Sequence, residues 1–366
     1  MERPDQVVMP SGLGERLSSL FPGATITRLE PLRPDTGTGE AAKALGYGRP
    51  LRVWVRHADG GERCLVFHLE GTDDRGHDRR ADRAGNVLLA WDSFPRVPHH
   101  SRVLDVGGLS ADGRLVPLQD VGELYLLTEW AEGEVYAGDL RRIGQTGVVE
   151  PLDLARLDAL SGALREVHSA PGTHPAAYVR ALRDLVGSGE GIAGIVDGYG
   201  DGVPGASPAR LAALEHQCLT WRQRLKGKTA RLRRTHGDFH PFNLVFAPGA
   251  STPTLLDTSR GSQGDPADDV TCLALNFLFF GLERRDLWSG GLGVLWRRFW
   301  SAALSGGDTE VLDVAAPFFA WRVLVLCEPH WYPQLRQADR DRLLSFAERV
   351  LSAPRFDPAW GEELMR

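Results

Sequence analysis

Residues 233–246 read RRTHGDFHPFNLVF and bring His236, Asp238, His240, Pro241 and Asn243 together just ahead of an apolar run. Three readings compete for such a cluster. His236 and His240 stand four apart, the spacing of two metal ligands on one helix face. Gly237 and Pro241 oppose a helix there, and no third ligand follows in a recognisable pattern, so zinc is the weakest reading. Asp, His, Pro and Asn also open ordinary turns into strands. The third reading is a catalytic loop, with Asp238 as a carboxylate that takes up a proton.

The continuation favours the loop. Asn243 follows Asp238 by five residues, a short strand pair (FNLVFA and TLLDT) comes next, and its second strand ends in Asp257. GDPADDV then sets Asp265 and Pro266 at the start of an apolar helix, with Asp265 as N-cap. Phosphoryl transfer needs a carboxylate to orient a hydroxyl and accept its proton. It also needs hard oxygen ligands for a magnesium ion that bridges nucleotide phosphates. An amide and a carboxylate on opposite strands of one hairpin can reach one ion.

HGDFHPFN and LLDTSRGSQGDPADDV together resemble the catalytic loop (HGDxHxxN) and metal-binding segment of the aminoglycoside phosphotransferase and choline kinase group. GALREVHS is similar to the helix before that loop, and LLTEWAEGE to the hinge. The resemblance covers most of the chain in arrangement, and 236–270 in detail. It implies an α+β, protein-kinase-like two-lobe fold. A small antiparallel-sheet lobe at 1–130 would bind nucleotide, a hinge would lie at about 128–140, and a larger, mainly helical lobe at 131–366 would hold the catalytic loop and substrate pocket. The implied activity is transfer of the γ-phosphate of ATP or GTP, with Mg2+, to a hydroxyl of a small molecule. Carried over residue by residue, Asp238 is the base or hydroxyl-orienting carboxylate, and Asn243 and Asp257 hold magnesium. His236 braces the loop behind Asp238. A purely structural role for His236 and His240 stands beside any direct contact, and Asp269 reads as structural or as paired to the loop. The hinge would meet the base near Thr128 to Ala131, with Glu129 and Trp130 its most distinctive side chains.

One position departs from the pattern. The third strand of the small lobe normally supplies a lysine to the phosphates, and here CLVFHLEG places His68 there. A neutral imidazole is a weak substitute for an ammonium ion. The chain has three lysines, Lys43, Lys226 and Lys228. Lys43 lies among Gly37, Gly39, Gly46 and Gly48, which would let backbone N–H groups approach phosphates. Lys43 either replaces the missing cation or is an ordinary loop residue. Its acidic partner would be Asp82, with Asp78 second, and Arg79, Arg80 or Arg83 could serve instead. A protein that had lost the lysine's role would be a nucleotide-binding or regulatory module with little transfer activity.

The elements needed to hold these residues are visible as patterns. LRVWVRH (51–57) and RCLVFHL (63–69) flank ADGG and read as a hairpin. A helix follows from about Arg79 to Trp91, then short strands in SRVLDVGG, GRLVPLQ and GELYLLTEW. After about residue 150 the spacing becomes helical, as in LARLDALSGALREVH and in ARLAALEHQCLTWRQRL after Ser207 and Pro208. Four helical patterns fill the region beyond 266: PADDVTCLALNFLFFGL, LWSGGLGVLWRRFW, VAAPFFAWRVLVLC and DRDRLLSFAERVL. The late tryptophans read mainly as core. Glu328 and Trp331 in CEPHWYP are candidate substrate contacts.

Composition bounds the partners. The 366 residues are 42% hydrophobic and 25% charged, enough chain to bury a core without disulfide or metal staples. A net charge of −6 offers no basic field to a nucleic-acid backbone. Cys64, Cys218, Cys272 and Cys327 are scattered, as expected of reduced thiols. MERPDQVVMPSG lacks a charged-then-apolar leader pattern, and the longest apolar run, VTCLALNFLFFGL, is too short to cross a bilayer. A cytoplasmic protein without a membrane partner is expected.

Overall fold

The computed structural model describes residues 10–32, 50–71, 80–116, 123–172, 175–258, 260 and 262–366, with backbone alone at 80–82 and 123–124. Lys43 and its glycines, Asp78 and Arg79 lie outside the described residues, as do the side chains of Arg80 and Asp82. The chain forms two compact units. One holds Ser101–Ala131 and most of the chain before it; the other holds Glu132–Arg366 with Arg96–His100.

The first unit opens with α1 (Leu13–Leu20) and β1 (Thr25–Pro31). The expected hairpin forms as β2 (Leu51–Arg56) and β3 (Glu62–Leu69), turning through Gly60 at φ +87°. Then come α2 (Arg80–Ser93), β4 (Val103–Leu109), β5 (Leu115–Val116) and β6 (Glu123–Glu129). GRLVPLQ thus yields only a two-residue strand among its described residues. The strands make one antiparallel sheet in the order β1-β2-β3-β6-β4-β5. Side chains of a strand alternate between faces. Val53, Val55, Leu65, Phe67, Tyr125 and Leu127 therefore share a core with Leu13 and Leu17 of α1. Leu126, one residue out of step, packs with Val87, Ala90 and Phe94 of the α2 segment.

The second unit begins with β7 (Glu134–Val135) and α3 (Tyr136–Thr146), then α4 (Pro151–Ser169), α5 (Pro175–Gly187), α6 (Ile192–Asp197) and α7 (Pro208–Leu225). Helix thus starts before residue 150. Tyr136, Leu140 and Ile143 of α3 are buried, but Gly138 and Gly144 weaken the pattern in the sequence. Ser207 caps α7 by accepting from the Arg210 N–H. Small strands follow: β8 (Arg233–Arg234), β9 (Leu244–Phe246), β10 (Pro253–Leu255) and β11 (Gln263–Gly264). They form the sheets β10-β9-β7 and β11-β8.

The remaining helices are α8 (Pro266–Gly281), α9 (Leu292–Ser305), α10 (Val311–Val314), α11 (Ala316–Cys327), α12 (Gln337–Ser352) and α13 (Ala359–Leu364). α8 is buried on nearly every side and packs against α3, α9 and α11, as its all-round apolar sequence requires. One expectation is corrected. LWSGGLGVLWRRFW becomes helical only at Leu292, because Gly290 and Gly291 sit in a tight turn against Gly147. VAAPFFAWRVLVLC forms α11 from Ala316 onward, its Val314 ending α10, with Pro317 in the first turn of α11, where its missing N–H costs nothing. Among the described residues no helix is long and apolar enough to cross a membrane.

Gly133 fixes how the chain enters this unit. It has φ +130°, and a Cβ there would lie 2.0 Å from the Phe246 carbonyl oxygen of β9. Gly133→Ala should cost about 2 kcal/mol or more, since both the backbone region and the contact exclude a side chain. A thermal or urea melt checks this; an unchanged midpoint would contradict it.

Candidate active site

The HGDFHPFN segment spans the gap between β8 and β9. Gly237 has φ +82°, a left-handed turn that no helix accommodates. The N–H groups of His236 and Gly237 therefore need partners off the chain's own ladder. Both donate to Asp269 on α8, at 2.8 Å to Oδ2 and Oδ1 respectively. The same carboxylate lies 2.8 Å from His168 Nε2 on α4 and has no solvent exposure. Burial raises the Asp269 pKa, but the His168 hydrogen bond and charge outweigh it, so the net shift is downward.

His236 is fully buried, and its Nδ1 accepts from the Asp238 N–H at 3.3 Å. Burial pushes the imidazole pKa down despite the nearby Asp269 carboxylate. His240 closes the next turn, its Nδ1 accepting from the Phe242 N–H at 3.1 Å. Asn243 then reaches back. Its Nδ2 donates to the Asp238 carbonyl at 3.0 Å and lies 3.4 Å from Asp238 Oδ2. The Leu256 N–H donates to the Asn243 carbonyl at 2.9 Å, which brings Asp257 to the same end of the hairpin. Asp257 is exposed and left-handed at φ +56°, a conformation Asp tolerates better than most residues. His236, Asp238, Asn243 and Asp257 thus lie in one hydrogen-bonded segment.

Asp238 is buried, and its two arginine partners come from outside the loop core. Arg322 of α11 places Nη1 2.6 Å from Oδ1; Arg260 places Nη1 3.2 Å from the same oxygen. His240 Nε2 lies 3.4 Å from Oδ2. Burial opposes ionisation, but the charges of Arg260, His240 and Arg322 prevail and hold the carboxyl well below the usual range. The neighbouring Asp268 goes the other way: burial pushes it up to about 6, although Arg322 binds it at 2.8 Å.

Neither arginine was singled out from the sequence. Arg322 carried a signal, being the one charged residue in APFFAWRVLVLC. A charge inside a buried apolar helix must find a counter-ion. Arg260 lies within the motif, three residues after Asp257, but nothing in the spacing tells where its side chain turns. Asp265 does cap α8, accepting from the Ala267 N–H. It is also held by Arg231 at 2.8 Å through both oxygens and by the Tyr178 hydroxyl at 2.8 Å.

The small-unit candidates are placed as follows. His68 lies in β3, opposite Leu126 of β6, with Nε2 3.3 Å from Glu70. Glu129 ends β6 and pairs with Arg63 at 3.7 Å; the Trp130 ring lies 3.5 Å beneath the Arg52 guanidinium. Their N–H groups are spent on the Arg102 and Cys64 carbonyls. Arg83 is buried on α2, and Asp82 occupies the preceding position of its backbone. Glu328 and Trp331 are both buried after α11, at 2% and 5% exposure, Glu328 accepting from the His330 N–H at 3.3 Å. Of the late tryptophans, all but half-buried Trp360 are core.

The sequence of residues 50–309 matches the model of the APH family, described as a phosphotransferase enzyme family. The chain belongs to this family. It therefore has the protein-kinase-like fold and is an enzyme of small-molecule phosphotransfer. Among curated proteins no sequence matches this phosphotransferase. Many solved structures are similar to it, three of them as follows. The aminoglycoside phosphotransferase APH(3'')-Id from Streptomyces rimosus is 18% identical, with a TM-score of 0.46, covering 83% of this chain and 93% of its own. A microcompartment-associated aminopropanol kinase is 15% identical, with a TM-score of 0.48 and coverage of 96% and 98%. The Plasmodium vivax ethanolamine kinase is 12% identical, with a TM-score of 0.44 and coverage of 92% and 81%.

The Asp269 anchor has a pH signature. Its folded pKa lies below its unfolded value of about 3.9, so its stabilisation is present above that value and is lost as pH falls through the folded one. Asp269→Asn should lower stability at neutral pH by about 3 kcal/mol, since an amide cannot accept both loop N–H groups and His168. The difference from wild type should shrink in strong acid. Urea melts at neutral and acid pH measure it; a gap independent of pH would contradict this account.

Proposed function

We propose that this phosphotransferase moves the γ-phosphate of ATP or GTP to a hydroxyl group of a small molecule, with Asp238 orienting the hydroxyl and receiving its proton. The oxygen–phosphorus bond to the acceptor forms as the bond to the β-phosphate oxygen breaks, and ADP or GDP leaves. The observation that carries the reading is the tie between Asp238 and Asn243, with Asp257 brought alongside by the Leu256–Asn243 backbone bond. This supports one site with a carboxylate for the acceptor and two oxygen donors for an ion.

Magnesium fits the donor chemistry. Asn243 spends its Nδ2 on Asp238, which leaves its Oδ1 for a hard cation, and Asp257 adds a carboxylate. Bound there, magnesium would neutralise phosphate charge. The chain's own work is positioning. Asp269 and His168 hold the loop backbone, His236 holds the Asp238 N–H, and burial excludes water from the carboxylate. A carboxylate held so firmly ionised is a weak base. Its main service is orientation, in keeping with a loose transition state in which little proton transfer is demanded.

The nucleotide side rests on Lys43 as the phosphate cation in place of the strand lysine, with Asp82 as its acidic partner. The base would meet the segment around Glu129 and Trp130. Glu328 and Trp331 are kept as substrate-side candidates. The scattered cysteine spacing of the sequence is in keeping with a reducing, cytoplasmic setting. The competing reading, a nucleotide-binding or regulatory module, draws on the imidazole of His68 where a phosphate cation is expected.

Release of ADP or GDP should depend on one member of a panel of alcohols, amino alcohols and sugars, and on magnesium. Asp238→Ala should lower that release by roughly 10²–10⁴-fold while nucleotide still binds. Nucleotide binding without turnover of any acceptor would favour the module. Lys43→Ala should weaken nucleotide binding by roughly tenfold or more, the loss expected for a charge-assisted phosphate contact. Calorimetry with a non-hydrolysable nucleotide reads this directly, and an unchanged affinity removes Lys43 from the site.

A further inference from the structure

Two guanidinium groups hold the same corner of the catalytic loop. Arg322 donates from Nη1 to Asp238 Oδ1 at 2.6 Å, and from Nη2 to the Gly237 carbonyl at 3.0 Å and Asp268 Oδ1 at 2.8 Å. Arg260 donates from Nη1 to that carbonyl at 2.8 Å and to the same Asp238 oxygen at 3.2 Å. Both lie against the Trp321 ring, at 3.9 Å for Arg322 and 4.2 Å for Arg260. Their burial differs. The Arg322 side chain is 7% exposed, whereas that of Arg260 is 23% exposed and is shared with Glu190 at 3.5 Å.

We propose that Arg322 is a positioning residue for phosphoryl transfer: by gripping Asp238 Oδ1 and the Gly237 carbonyl together, it fixes the carboxylate so that Oδ2 faces the acceptor hydroxyl. The inference rests on the reading of Asp238 given above.

The two carboxylate oxygens are unequal in the structure. Oδ1 receives two guanidinium N–H groups at hydrogen-bond distance. Among the described residues, the contacts of Oδ2 are Asn243 Nδ2 and His240 Nε2, both at 3.4 Å. Contacts of that length leave lone pairs of Oδ2 able to accept a shorter bond from a hydroxyl. A planar fork can hold a carboxylate oxygen and a backbone carbonyl at once, and a single ammonium cannot reproduce that geometry. Packing alone does not ask for the charge. Arg322 stands between Trp321 and Val323 in an apolar helix, and a buried guanidinium is costly to desolvate. An apolar residue would fill that space without the cost, but would leave the rotation of the carboxylate undetermined. Arg260 reinforces the grip, with longer contacts and more exposure, and its loss should matter less.

The titratable and charged groups around Asp238 include Arg322 from α11, Arg260, His240 and His236 from the loop region, Cys272 from α8, and Tyr332 beyond α11.

The test compares Arg322→Gln and Arg322→Lys in the full chain. Kinetics would use magnesium, nucleotide and whichever panel acceptor the wild type phosphorylates. Arg322→Gln should lower kcat roughly 10²-fold, the penalty for a misplaced reacting group, while the KM for nucleotide holds. Arg322→Lys keeps the charge but not the fork, so kcat should still fall, by less than in Arg322→Gln, again with the KM for nucleotide unchanged. A second readout needs no acceptor: calorimetry with a non-hydrolysable nucleotide should give the wild-type affinity for both variants. Wild-type kcat in both variants overturns the proposal, as does a loss carried by nucleotide affinity instead of kcat. If Arg322→Gln does not fold, Arg322→Lys decides by kcat. Should the wild type turn over no acceptor, the phosphotransfer reading fails and this proposal with it; wild-type turnover undiminished in the variants overturns the proposal alone.

Discussion

Asp269 satisfies two backbone N–H groups of the Asp238 loop at once. The loop cannot be helical at Gly237, so the N–H groups of His236 and Gly237 would otherwise be buried without acceptors, at a cost comparable to losing two hydrogen bonds. Its second service is to bind His168, which joins α4 to the same point. The requirement passes on from there. Asp269 is placed by the start of α8, α8 is capped by Asp265, and Asp265 is held by Arg231 and Tyr178. Arg231 in turn draws in Asp308 and Glu310. A buried polar spine thus runs from α5 through the start of α8 to the loop that carries Asp238.

The first turn of α8 concentrates carboxylates where the helix dipole favours them. Asp268 and Asp269 are adjacent, both deeply placed, yet they shift in opposite directions. Burial acts on each. Asp269 answers it with two backbone donors and an imidazole, Asp268 with part of one guanidinium. The difference shows that hydrogen-bond count, rather than position on the helix, decides which of two neighbouring carboxylates stays ionised.

Much of this was readable in advance, for identifiable reasons. The β2–β3 hairpin is written in alternation around ADGG, and α8 in an apolar run opened by Asp-Pro. HGDFHPFN and Asp257 gave the loop and its hairpin, because short-range chemistry fixes those residues relative to one another. What stayed hidden depends on long-range packing. Arg322 stands 84 residues beyond Asp238, and no periodicity says that α11 turns that side chain toward the loop. His168 lay within a segment recognised only as a helix, and its partner 101 residues away could not be named. The α3 pattern is weakened partly because one of its glycines serves packing: a Cβ at Gly144 would meet the Phe280 carbonyl at 2.6 Å.

The depth of Arg322 also bears on how the molecule responds to salt. Ion pairs on the outside, such as Arg298–Asp158 and Arg284–Asp286, are about half exposed and sit within reach of mobile ions. At physiological ionic strength the screening length is about 8 Å, so such pairs weaken readily. The pairs of Arg322 with Asp238 and Asp268 are enclosed by α8, α11 and the Trp321 ring, where counter-ions do not enter. Rising salt would therefore loosen the periphery first and leave the geometry around Asp238 to the protein alone.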